Sequence, residues 1–250
     1  MNSQNKLALL SALGGGAIAV TLMLAAATFG LFPQRLAGGQ IRAYLLSHPE
    51  ILVEMQVKLE EKDAADTARE QRAALLAINR KAFFDPKIAF LAGPPNAKQT
   101  LVEFFDYNCP YCRASLPAIK KFYEAHKNDT RFSFIEFPIK GQDSIVAARA
   151  SLAARKQPDK FLVFHFALMG EESLVTDEVV FADAAKSGLD VAKLKADMQG
   201  KDIDRAIEIS HKLAISAKID GTPTFIVNGR IHSGVVDDDD LKDLIKQKPV

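Results

Sequence analysis

Only two cysteines occur in the 250-residue chain, and its formal charge is nearly balanced, at +1. Two cysteines are too few for a disulfide-stapled secreted domain. They also speak against a structural zinc site, which takes four ligands, usually in two pairs. No second C-x-x-C is present, and His48, His126, His165, His211 and His232 show no paired ligand spacing. An iron–sulfur cluster wants four cysteines, and haem attachment wants C-x-x-C-H, whereas residue 113 is Arg. A charge of +1 gives no reason to expect nucleic acid as a partner. No phosphate loop stands out, because Gly14-Gly15-Gly16 lies inside an apolar stretch and not after a strand. Charge is also missing from Leu7 to Gln34, between Lys6 and Arg35. That stretch is long enough to span a bilayer. Its Ala25-Ala26-Ala27 could equally serve a signal peptidase, so residues 1–34 read as a signal anchor or a cleaved signal peptide. Its length favours the anchor.

What is present concentrates in Cys109-Pro110-Tyr111-Cys112, which holds both cysteines. The apolar run Leu101-Val102-Glu103-Phe104-Phe105 precedes it, and a helical pattern from Ala114 to Ala125 follows. A strand feeding a helix through C-x-x-C makes a redox-active dithiol, since residues i and i+3 share one helix face. The first cysteine falls where unpaired N–H groups and the positive end of the helix dipole favour a thiolate. Pro110 suits the first turn, where its missing N–H has no partner to lose. Cys109 is therefore expected to be the nucleophile and Cys112 the resolving thiol. A structural role is unattractive, because a bond closing so short a loop constrains almost nothing. In an exported protein, an oxidising compartment such as the periplasm lets such a dithiol cycle by disulfide exchange.

A second stretch, Gly221-Thr222-Pro223-Thr224-Phe225-Ile226-Val227-Asn228-Gly229, puts a proline at the start of a β-rich run, the mark of an edge or a bend. Together with the C-x-x-C it resembles the DsbA-like branch of the thioredoxin superfamily. The resemblance implies a cis-proline loop facing the dithiol, in which Thr222 and Pro223 pack on the cysteines, keep metals out and bind substrate main chain. It also makes Glu103, an acid in an apolar strand, the candidate for proton transfer to the thiols, with Asp106 a nearby competitor. Pro110, Tyr111 and Thr222 are expected to tune the redox balance. Pro-Tyr and Thr222 look more like ScsC- and DsbG-type enzymes than like DsbA, whose Pro-His motif supplies a histidine that Cys109 here lacks. That argues against the most strongly oxidising behaviour.

The expected fold is α/β: a thioredoxin fold, βαβ…ββα, over residues 90–250. Strands are expected at 100–107, 131–137, 224–227 and 230–233, with a helical insertion at about 144–200. Asp237 to Asp240 read as dipole partners of the last helix and not as a metal site. Leu36 to Gln40, with two glycines, reads as a linker. Ser47-His48-Pro49-Glu50 reads as a capping box that opens a long helix, with no Gly or Pro until Pro86. The region 38–85, with Tyr44-Leu45-Leu46-Ser47-His48-Pro49-Glu50, resembles the N-terminal helical part of ScsC-type proteins, which implies a homo-oligomer. The resulting expectation is a periplasmic thiol–disulfide oxidoreductase without cofactor or metal. Its partners would be cysteine-containing clients and a membrane protein that recycles the dithiol. Two rivals remain: a copper-handling thiol protein and a holdase-like interaction module.

Overall fold

The structure, a computed structural model, describes residues 34–248. The membrane or signal segment expected within residues 1–34 lies outside the described residues save its last position. Among the described residues, no helix is long and apolar enough to cross a membrane. The chain divides into two compact units, with the boundary between residues 64 and 65.

The first unit holds helix α1 (Gln34–Ser47) and the start of α2 (Glu50–Ala77). The linker expected at 36–40 is helical instead. Each glycine costs about 1 kcal/mol relative to Ala, too little to break a helix flanked by good helix formers. The expected capping box does not form. The Ser47 hydroxyl donates back to Tyr44 O at 2.9 Å and so closes α1 instead of opening α2. With 28 residues, α2 runs about 42 Å. It stops short of the uninterrupted pattern because Asn79 offers the backbone an alternative: its side chain accepts from Lys81 N and caps a 3-10 turn, Arg80–Phe84. That turn buries Phe83 and Phe84.

In the second unit five strands form one mixed sheet: β1 (Ala89–Ala92), β2 (Gln99–Phe105), β3 (Thr130–Glu136), β4 (Thr224–Val227) and β5 (Arg230–Ser233). Their order is β1-β3-β2-β4-β5. Helix α3 (Pro110–His126) carries the chain from β2 to its parallel neighbour β3, while β4 and β1 pair antiparallel to β2 and β3. Strand β1 was not expected. It has only four residues, between Pro86 and Gly93-Pro94-Pro95, too few to show a period. Five helices separate β3 from β4: α4 (Gln142–Ala154), α5 (Pro158–Met169), α6 (Asp177–Lys186), α7 (Val191–Asp197) and α8 (Lys201–Ser216). Helix α9 (Asp238–Lys246) closes the chain; Asp237 caps it and Asp240 completes the box, the helix-end role expected of this acidic run.

Register decides which side chains share a face. Glu103 is opposite Phe134, and Phe105 opposite Glu136. Leu101, Glu103 and Phe105 therefore share a face with Phe132, Phe134 and Glu136. This face meets α3 and α5 through the ring contacts Phe122–Phe132 and Phe105–His165. The other face carries Val102, Phe104, Ser133 and Ile135 against the Phe83 turn and, through Phe137 and His211, against α8. Phe104, Phe105, Phe132, Phe134 and Phe137 are all buried, as the apolar runs led one to expect. Asn228 and Gly229, both at positive φ, turn β4 into β5. The Asn228 side chain accepts from Thr100 N and donates to the Ile245 and Gln247 carbonyls, tying β2 to the end of α9.

Candidate active site

At the end of β2 the chain must turn into α3, and Asp106 makes the turn. Its carboxylate accepts N–H groups from Asn108 at 2.8 Å, Ile139 at 2.7 Å and Lys140 at 2.9 Å. Asp106 is thus a backbone anchor. Cys109 is the N-cap of α3, with no side-chain cap of its own and Pro110 in the first turn. The sulfur therefore takes the place of a capping oxygen, beside N–H groups that the helix leaves unpaired.

The Thr222–Pro223 peptide is cis, and its loop meets Cys109. In its thiol form Cys109 Sγ donates to Thr222 O at 3.1 Å. The two stretches expected to meet, the C-x-x-C and Thr222-Pro223, are thus brought together across the sheet. Cys109 has its pKa lowered to about 5. A hydrogen bond from the Cys112 thiol is the largest cause. The Thr222 side chain and the N–H groups of Cys112 and Tyr111 act in the same direction, against the opposing effect of burial. Cys112 is pushed far up, first by burial, then by its bond to Cys109 and the Glu103 charge. One thiol is a thiolate at neutral pH and the other holds its proton, the asymmetry that a nucleophile and a resolving thiol need. Tyr111, between them, is exposed.

Glu103 is buried in β2, and burial raises its pKa to about 8. Its charge, when present, holds the Cys112 thiol up. Beside it lies a polar network that the sequence reading missed. Tyr107 OH meets Ser151 Oγ and His165 Nδ1, each at 2.8 Å. Glu136, on the Glu103 face, is pushed well up by burial, against Ser151 and Arg155. Burial drives His165 down to about 3, so it is neutral. The signal for Glu136 was the one used for Glu103, an acid in an apolar strand; nothing in the local pattern marked Tyr107 or His165. Among the described residues, no three His, Cys, Asp or Glu side chains gather as a metal would need.

Residues 87–247 match the family model described as "Thioredoxin", and residues 38–66 match "Copper resistance protein ScsC N-terminal domain". The chain is 31% identical over 170 residues to disulfide bond formation protein D of Bacillus subtilis, covering 62% of this chain and 75% of that one. Among solved structures, a thioredoxin-like oxidoreductase from Silicibacter pomeroyi is 38% identical with a TM-score of 0.63, covering 68% of this chain and 96% of that one. A linker-deletion variant of Proteus mirabilis ScsC is 27% identical with a TM-score of 0.65, covering 86% and 94%.

Proposed function

The chain belongs to the thioredoxin family, and from that premise we propose that it is an exported, ScsC-like thiol–disulfide oxidoreductase acting on cysteines of other proteins. The observation that carries this reading is the Cys109 sulfur at a helix N-cap, lowered to about 5 and facing a cis-proline loop. In the reducing direction Cys109 thiolate attacks a client disulfide and forms a mixed disulfide. Cys112 then loses its proton, attacks Cys109 Sγ and releases the client thiol. Glu103, whose own acidity lies near 8, is the group beside Cys112 suited to exchange that proton once it has lost its own. Thr222 and Pro223 hold the client main chain beside the sulfur, and Pro110 and Tyr111 tune the balance. In the oxidising direction the same steps run backwards, and a membrane redox partner resets the pair. The uncharged segment 7–34 supports export to the periplasm, with or without retention as an anchor. A homo-oligomer built through residues 38–64 fits their exposed apolar side chains, among them Ile41, Leu52, Met55 and Leu59.

The test is exchange with a scrambled-disulfide protein. Cys109→Ser is expected to abolish activity, and Cys112→Ser to accumulate the mixed disulfide, visible as a mass adduct lost on reduction. Full activity in Cys109→Ser would overturn the reading. A second reading, Cu(I) binding by the reduced pair, draws on the match of residues 38–66 to the domain named for copper resistance. Copper binding no tighter than to free dithiothreitol would remove it.

A further inference from the structure

The sheet face opposite Glu103 carries a groove that the exchange chemistry does not use. Its central cavity, about 200 Å³, lies between the end of α2, the Phe83 turn and the first half of β2. Leu75, Leu76, Ile78, Phe83, Val102 and Ile226 wall it with side chains that offer a ligand no hydrogen bond. A second cavity shares Arg72 and Leu75 with it, and a third shares Arg80, Phe84 and Thr100, so the three run together. Every charged residue lining this groove is a cation: Arg72, Arg80, Lys81, Lys98, Arg131 and Arg230. Among the described residues none of the six has an ion-pair partner, whereas cations elsewhere pair with nearby acids, as Lys58 with Glu61 and Lys193 with Asp197. Of the acids adjoining them in sequence, Glu70 faces Lys218 and Asp85 accepts from Lys87 N. Arg80 is fixed at the cavity mouth, where its Nη2 donates to Thr100 Oγ1 at 2.8 Å. Arg131 lies over the Phe84 ring, 4.4 Å from its centre. Apolar walls ringed by cations of one sign, with no acid among them, are complementary to a ligand that is apolar in the middle and negative at the end.

We infer that this groove binds a single-chain anionic amphiphile, an alkyl chain ending in one carboxylate. The chain lies in the central cavity, where it leaves water for the apolar walls. The carboxylate accepts from Arg80, whose planar N–H fork suits it and which Thr100 holds in place. Arg72 and the cations at the outer mouths add a field that favours a negative head over a neutral one. The occupant is one chain and not a bilayer surface, because the walls are concave and Phe83 and Val102 among them are buried. Nothing in this inference depends on the reaction at Cys109.

The experiment is isothermal titration calorimetry of the full chain with dodecanoate, kept below its micelle concentration. Dodecyl maltoside has the same chain with a neutral head, and butanoate the same head with almost no chain. Dodecanoate is expected to bind one to one, about tenfold or more tighter than either. Arg80→Gln removes the charge that holds the head and should weaken dodecanoate binding about tenfold. Leu76 is 68% exposed, so Leu76→Glu leaves the fold intact while setting a like charge in the wall; it should weaken binding at least as much. Lys212→Gln, at a surface cation paired with Glu208 outside the groove, should keep the wild-type affinity. Sedimentation with phosphatidylglycerol vesicles tests the bilayer alternative. Vesicle binding without saturable dodecanoate binding overturns the cavity. So does equal affinity for the maltoside, or dodecanoate binding that neither Arg80→Gln nor Leu76→Glu alters.

Discussion

Reduction of the Cys109–Cys112 disulfide consumes two protons if both thiols form, but one if Cys109 stays a thiolate. For a two-electron couple each proton contributes about 30 mV per pH unit. With Cys109 at about 5 and Cys112 far above neutrality, the potential should fall by about 60 mV per unit below pH 5. Above pH 5 the slope should halve to about 30 mV. At pH 7, two units above the break, the thiolate raises the potential by about 60 mV over a pair with ordinary thiols, or about 2.7 kcal/mol. The assay is equilibration with a thiol–disulfide buffer of known potential between pH 4 and 8, then acid quench and alkylation. Thr222→Val removes a side chain that holds the Cys109 thiol acidic, so the break should move up. A steep slope running through pH 7, with its break near an ordinary thiol at about 8.5, would refute the reasoning.

Four further outcomes follow from the same geometry. Glu103 keeps its proton to about pH 8 in the fold but, as an ordinary solvated carboxyl, only to 4.5, so the unfolded chain binds fewer protons in between. Stability should therefore fall as pH rises from 4.5 to 8, by about 3 kcal/mol at pH 7, and Glu103→Gln should flatten this; equal slopes in urea titrations would sink the idea. His165 is the opposite case, because a neutral imidazole held to about 3 loses stability as pH falls from 6.5 toward 3. That acid limb should be shallower in His165→Leu, whatever its stability at pH 7. Tyr107→Phe strips Ser151 and His165 of a shared hydroxyl and is expected to cost about 1–3 kcal/mol, read as a lower urea midpoint. Leu52→Glu with Met55→Glu places charge on an exposed apolar stripe, so sedimentation should show a smaller species than the wild type; a monomeric wild type would remove the oligomer, and an unchanged oligomer mass would remove the stripe's part in it.

Much of the fold was legible because its signals are local. The hairpin strands 224–227 and 230–233 and the helix 238–246 follow from β-branched runs, Asn228-Gly229 and an acidic first turn. Strand β1 was not legible, since four residues carry no period and only the edge of β3 makes them a strand. Nor was the end of α1, where Ser47 could bond forward or back and both choices look alike in sequence. Gly93 shows the limit in one residue: its φ of +74° and a Cβ that would collide with the Thr130 carbonyl are demands of the sheet beside it.

The residues proposed to carry the chemistry were picked out by the sequence alone. C-x-x-C spacing places two sulfurs on one helix turn whatever else the chain does, and Thr-Pro before a β-rich run announces a fixed turn. Tertiary structure decided what those residues meet. It brought Thr222, 113 positions downstream, onto Cys109 and set the acidity of the two thiols apart. It aligned Glu136 with Glu103 by strand register, and it joined Tyr107, Ser151 and His165 from three elements. Hydrogen bonding and desolvation act over a few ångströms of space, and neighbours at that range are set by how strands and helices pack, not by their order in the chain.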